Sequence, residues 1–188
     1  MIYSIQADYQ RYQVFVLDHK AVRNALGGNT QFHFARKPKS YSQDWKTFEI
    51  DFDALGSRAS LIPDVSVRNG RMFFSKYAIE KVSSLIERQG EFLPVNYKGE
   101  NGAFFNILAV AEECGALDSR CCIKNEYGEV QAIGFHESEL DETHVFRAEF
   151  DGFMGVYCTE AFKKTIEDAG LKGVVFNADI GNVFPVAQ

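Results

Sequence analysis

Only four cysteines occur, Cys114, Cys121, Cys122 and Cys158, and no pair has the C-x-x-C spacing of a zinc knuckle or a thioredoxin-like redox site. Adjacent Cys121 and Cys122 point in different directions in most backbones, which suits a shared four-ligand metal site poorly. The expectation is of reduced, small, partly buried thiols. No apolar run approaches the length of a membrane span, and the start Met-Ile-Tyr-Ser-Ile-Gln-Ala-Asp has neither a basic n-region nor a long apolar h-region. Both absences point to a cytoplasmic protein with no membrane partner. Internal repeats and low-complexity tracts are also missing.

The motifs of enzyme chemistry are absent too. The four histidines lie at 19, 33, 136 and 144, and no pair has the i,i+4 helical spacing of a zinc protease. Gly27-Gly28 is followed by no Gly-Lys-Ser/Thr, so it is not a phosphate loop. His136 and His144 flank the acidic run Glu137-Ser138-Glu139-Leu140-Asp141-Glu142, so a carboxylate–histidine metal site is conceivable there, although loops of this composition seldom hold metal. Cys158 or Cys114 could meet a histidine only through the fold. The reading assigns no catalytic residue, no metal ligand and no cofactor.

What is present is a core. Hydrophobic residues make up 46% of the 188 and aromatics 14%, led by 17 Phe, which excludes disorder and allows one domain to bury its core without staples. Net charge is −6, which argues against a nucleic-acid partner. The charge is uneven. Residues 1–111 carry 14 Lys/Arg against 11 Asp/Glu, residues 112–151 carry 3 against 11, and residues 152–188 carry 3 against 4. The middle segment is thus the strongest electrostatic feature: either a solvated face or a surface for a basic partner, where complementary charge mainly raises the association rate.

The organising unit is Arg71 to Pro94. A short apolar strand, Met72 to Phe74, stops at Ser75, whose hydroxyl suits a helix N-cap. Ala78, Ile79, Val82, Leu85 and Ile86 then recur at helical spacing. Gln89-Gly90 is expected to end this helix in the left-handed backbone glycine favours. Strands are expected over Ile2 to Ile5, Tyr12 to Leu17, Phe48 to Phe52, Phe92 to Tyr97, Ala103 to Val110, Val130 to Phe135, His144 to Phe150, Val156 to Cys158 and Gly173 to Asn177. Phe92 to Tyr97 and Ala103 to Val110 should form a hairpin. Asp18 and Thr159 should cap two further helices, and Gly170 should close the last one with Leu171 folded back on it. Residues 27–46, with Arg36-Lys37-Pro38-Lys39, read as an exposed, mobile loop. The sum is an α+β fold, a mostly antiparallel sheet with two or three packed helices. Residues 1–44 are expected as an N-terminal strand–helix lobe packed on a main domain, 45–188.

The order of these signals resembles a known family. Trp45, Ile62-Pro63-Asp64, Gly70-Arg71 leading to Ser75, Glu91-Phe92-Leu93-Pro94, Phe104 to Val110, Leu117-Asp118, Val145-Phe146-Arg147, Val156 to Lys163 and Ala169 to Phe176 together look like the bacterial family catalogued as immunity protein eleven of polymorphic toxin systems. The resemblance covers roughly residues 45 to 178 and implies a non-enzymatic antidote that binds a cognate interbacterial toxin. It carries no binding residue across. The acidic segment supplies the candidate toxin contacts: Glu137, Glu139, Asp141 and Glu142, with Glu126 and Glu129 as a second group. Self-association into a homodimer stays open. The alternative is a small-molecule-binding domain or enzyme with a pocket in which His136 or His144 converges on Cys158.

Overall fold

The computed structural model describes residues 1–180. In chain order the elements are β1 (Ile2–Ala7), β2 (Val14–Val16), α1 (His19–Leu26), β3 (Asp51–Asp53), β4 (Val65–Arg68), β5 (Arg71–Ser75), α2 (Lys76–Ile86), β6 (Gly90–Tyr97), β7 (Glu100–Ile107), β8 (Ile123–Lys124), β9 (Val130–Ala132), β10 (Val145–Phe146), β11 (Tyr157–Thr159), α3 (Glu160–Asp168) and β12 (Val174–Asn177). Every pairing between these strands is antiparallel. The α+β class with three helices is therefore observed.

Two four-stranded sheets carry the molecule, ordered β4-β5-β7-β6 and β10-β11-β1-β12. In the first, β7 lies between β5 and β6, and α2 crosses from one flank to the other. Alternation along these strands separates two faces, because successive side chains of a strand point opposite ways. Met72, Phe74, Phe105 and Ile107 face α2, α3 and the second sheet, forming one core with Val82, Ile86, Phe162 and Ile166. Phe73, Phe104, Leu93 and Val95 face the other way and are covered by Phe15, Val22, Phe32 and Phe52. A third core behind the second sheet gathers Ala116, Ile133, Leu140, Phe146 and Tyr157.

The first 44 residues are divided between these layers. β1 is an inner strand of the second sheet, paired to β11 and β12, whereas β2 pairs with β3 and α1 packs over the first sheet. β1 and β2 do not pair with each other.

Helix ends follow the sequence in part. Asp18 and Ser75 accept from the backbone amides of Ala21 and Ala78, at 2.6 and 3.2 Å, as N-caps do. Gly170 closes α3 at φ +66 and Leu171 is buried against Ile166. The cap expected from Thr159 is different: its hydroxyl makes no cap bond and lies 3.1 Å from Nδ1 of His144. Gly90 also departs from expectation. α2 passes into a single 3-10 turn at Glu87–Gln89, and Gly90 is extended, opening β6. Glycine is needed there for proximity: a Cβ would stand 2.3 Å from the Asn106 carbonyl oxygen and 2.9 Å from the Phe105 ring.

Residues 27–46 are irregular, but they are anchored and not simply exposed. Phe32 is buried, stacked edge-on with Tyr41, Trp45 and tilted against Phe104. Arg71 donates to the carbonyls of Phe32 and Ala35, and Arg147 to that of Arg36 at 2.7 Å. Glu91 accepts from Tyr41 N, Ser40 Oγ and Ser42 N, and Trp45 Nε1 donates to Pro94 O at 2.8 Å. The polar composition of the loop gave no sign that strand side chains would reach out to hold it.

Candidate interaction surface

Between β7 and β10 the chain leaves the first sheet and builds an acidic surface over the third core. Its anchors are apolar. Leu140, inside the acidic run, is buried with Ile133 and Phe146, and Phe135 packs on Phe146 and Tyr157 with ring centroids 5.0 and 4.9 Å away. Because Leu140 points inward, Glu137, Glu139, Asp141 and Glu142 are all left outside. Glu137–Glu139 forms a 3-10 turn, and Thr143 N closes back on Leu140 O at 2.6 Å. Two of the four carboxylates are ion-paired, and a third, Glu139, accepts from the Ser138 hydroxyl at 3.4 Å. Glu137 pairs with the N-terminal amine of Met1, and Glu142 with Arg88 at 3.2 Å. Both pairs are well exposed, where an ion pair contributes at most about 1 kcal/mol, so either can be exchanged for an external cation.

Glu126 and Glu129 stand on a separate ribbon, β8–β9. Asn125 shapes its tip: its Oδ1 accepts from Tyr127 N at 3.0 Å and Glu129 N at 2.9 Å, its Nδ2 donates to the Glu129 carboxylate at 2.7 Å, and Gly128 takes φ +81. This Asn-centred turn projects Glu126 and Tyr127 outward. Tyr127 is 80% exposed and Ile123 at the ribbon's base is 56% exposed. Beside the ribbon lies a groove of about 780 Å³ that takes in Lys124, Glu129, Val130, Phe150, Met154 and Tyr157. Its far wall is fixed by Asp151, which accepts from Gly155 N, Met154 N and the Tyr157 hydroxyl. Burial and this neighbouring carboxylate push the Tyr157 phenol far up, so it remains a donor.

The six acidic candidates thus fall into two groups on one subdomain, a 3-10 turn and a ribbon tip. Tyr127 and Ile123 are large exposed apolar residues that the charge pattern did not single out; a tyrosine directly before Gly128 at a turn was the available signal. Arg147, one of the three basic residues in 112–151, is buried at 3% exposure, so its charge does not offset the surface carboxylates.

The cysteine–histidine alternative finds no such geometry. Cys158 is buried, burial pushes its thiol well above the ordinary range, and His144 is engaged with Thr159. Cys121 donates to Asp118 at 3.4 Å, and that bond with the adjacent carboxylate charge raises its thiol, the reverse of nucleophile activation. His136 Nε2 lies 3.7 Å from the same Asp118. Cys114 donates to Ala111 O. Among the described residues, no group of three or more His, Cys, Asp or Glu is placed to hold a metal ion, and no helix is long and apolar enough to cross a membrane.

No protein-family model matches the chain, and no curated protein matches it.

Proposed function

We propose that this protein is an immunity protein that binds and neutralises an interbacterial toxin through the acidic surface of residues 123–142. The observation that carries the reading is the ribbon tip: a tyrosine held almost fully in solvent by an Asn-centred turn, next to Glu126 and Glu129. An exposed aromatic gains burial energy only when a partner covers it, and tyrosines are among the residues that dominate binding energy at interfaces. The surrounding carboxylates would steer a basic cleft toward it. The order of strand, cap and turn signals that resembles the immunity protein eleven family supports the same class. Occlusion, without chemistry, is the mechanism: the bound protein covers the toxin's active site.

The test is inhibition of the toxin domain encoded beside this gene by the purified protein. One-to-one, stoichiometric inhibition is expected, with Tyr127→Ala weakening the complex by about thirtyfold or more, the loss of an interfacial hot spot. Protection at far below one equivalent would instead mean turnover and would overturn the occlusion reading.

A further inference from the structure

A second feature lies at the β4–β5 hairpin, whose Asn69 also borders the groove beside the ribbon, and its charged residues are ones that the toxin-binding reading does not use. Two arginines of the β4–β5 hairpin are held without any carboxylate partner among the described residues. Arg71, at 8% exposure, donates to the carbonyls of Phe32, Ala35 and Asn69. Arg68 donates to Phe15 O at 3.2 Å. A third, Arg147, donates to Arg36 O, Gly70 O and Ile107 O, while its Nε is buried with no partner. Backbone carbonyls satisfy these donors without cancelling the charge. Burying unpaired cations is expensive, and structures that keep them usually compensate with a counter-charge. Burial and the nearby Arg71 accordingly lower the Arg147 guanidinium to about 10.

Against this cluster sits a pocket of about 160 Å³ lined by Phe15, Val16, Leu17, His19, His33, Arg68, Asn69 and Arg71. Two arginines and two histidines line it, and no Asp or Glu does. The rings of His19 and His33 lie 4.4 Å apart, and the His33 Nδ1 is buried with no hydrogen-bond partner. α1 begins at His19, so the positive end of its dipole adds to the same field. Asp18, the carboxylate next to His19 in sequence, is occupied with Ala21 N and does not line the pocket. The volume is below the roughly 300–1,000 Å³ of pockets that enclose drug-sized ligands. It fits a small oxyanion.

We infer that the pocket formed by His19, His33, Arg68 and Arg71 binds a small oxyanion of the phosphate class, which supplies a counter-charge for buried Arg71. Bidentate acceptance from guanidinium is the geometry such anions use, and half-buried Arg68 can exchange its single bond to the Phe15 carbonyl for the ligand. A free phosphate and the phosphate of a phosphomonoester would present the same oxygens.

Isothermal titration of the whole protein with inorganic phosphate, at ionic strength held constant with potassium chloride, tests this. A parallel titration uses phenyl phosphate. Saturable one-to-one binding of inorganic phosphate is expected, with a rise in Tm that potassium chloride does not reproduce. Arg68→Gln and His19→Gln lie at the rim and leave the cores intact; circular dichroism confirms that each is folded. Arg68→Gln should weaken phosphate at least about tenfold, the scale of one charge-assisted hydrogen bond. Tighter binding of phenyl phosphate than of phosphate would assign the site to an ester, within the same inference. Absence of saturable binding, or binding that Arg68→Gln leaves unchanged in a folded protein, would overturn it.

Discussion

Gly90 and Glu91 show how much single positions on β6 decide. Gly90 sits against the Asn106 carbonyl and the Phe105 ring, so any side chain must push apart β6 and β7. Gly90→Ala is expected to cost about 1–3 kcal/mol, the range of overpacking in a filled core, read as a lower denaturation midpoint at unchanged m-value. Glu91 collects the loop. Burial alone would raise its carboxyl, but bonds from Tyr41 N, Ser40, Asn106 and Ser42 outweigh that and hold it below the ordinary glutamate range. A carboxyl depressed on folding stabilises the protein above its unfolded-state pKa, and that contribution is lost as pH falls through the lower folded-state value. Wild type should therefore exceed Glu91→Gln in stability most at neutral pH. The gap should shrink as the solution is acidified below the ordinary glutamate range, measured by urea midpoints across pH. A gap that is constant with pH would mean that the carboxylate's charge contributes nothing.

At the scale of elements, α2 and the strands that flank it are the part most legible from sequence. Ser75 and the apolar stripe Ala78, Val82 and Ile86 specify their own geometry locally, whereas the hairpin, expected to turn over residues 98–102, turns at Lys98-Gly99 alone and β7 already starts at Glu100. Ser75→Ala should cost about 1 kcal/mol, detectable as a lower Tm, because the amide of Ala78 loses its acceptor. Thr159 looked equivalent in sequence, and it is not. Its hydroxyl is taken by His144 across β10–β11, a contact no local pattern announces. Pairing between distant strands was likewise invisible. Nothing in Ile2–Ala7 says that its partners lie at 157–159 and 174–177, since alternation fixes a face and not a neighbour. The acidic candidates were legible as a charge run. Their exposure depended on Leu140 turning inward, and the aromatic knob Tyr127 depended on the hydrogen bonds of Asn125. The buried arginines carried a signal that sequence reading left unused, a lone cation inside an apolar strand at Arg71-Met72-Phe73-Phe74 and at Val145-Phe146-Arg147.

For the whole molecule, the uneven distribution of charge along the chain is the governing feature. The covering layer carries Arg36, Lys37 and Lys39, and residues 112–151 carry the carboxylates, the two segments meeting where Arg147 reaches the Arg36 carbonyl. Such an arrangement orients a partner before contact, and its effect is screened by salt over a Debye length of about 8 Å at physiological ionic strength. Under the proposed function, steering would act on association and a Tyr127 contact on dissociation. The most direct test is therefore to identify the toxin domain that the proposed function requires and to follow its association rate constant with this protein by stopped flow over a range of salt. Wild type should associate more slowly as salt rises. Charge reversal of Glu137, Glu139, Asp141 and Glu142 to lysine should slow association at low salt by about tenfold or more and flatten the salt dependence. An association rate and salt slope unchanged by that reversal would contradict the acidic surface as the toxin-binding face.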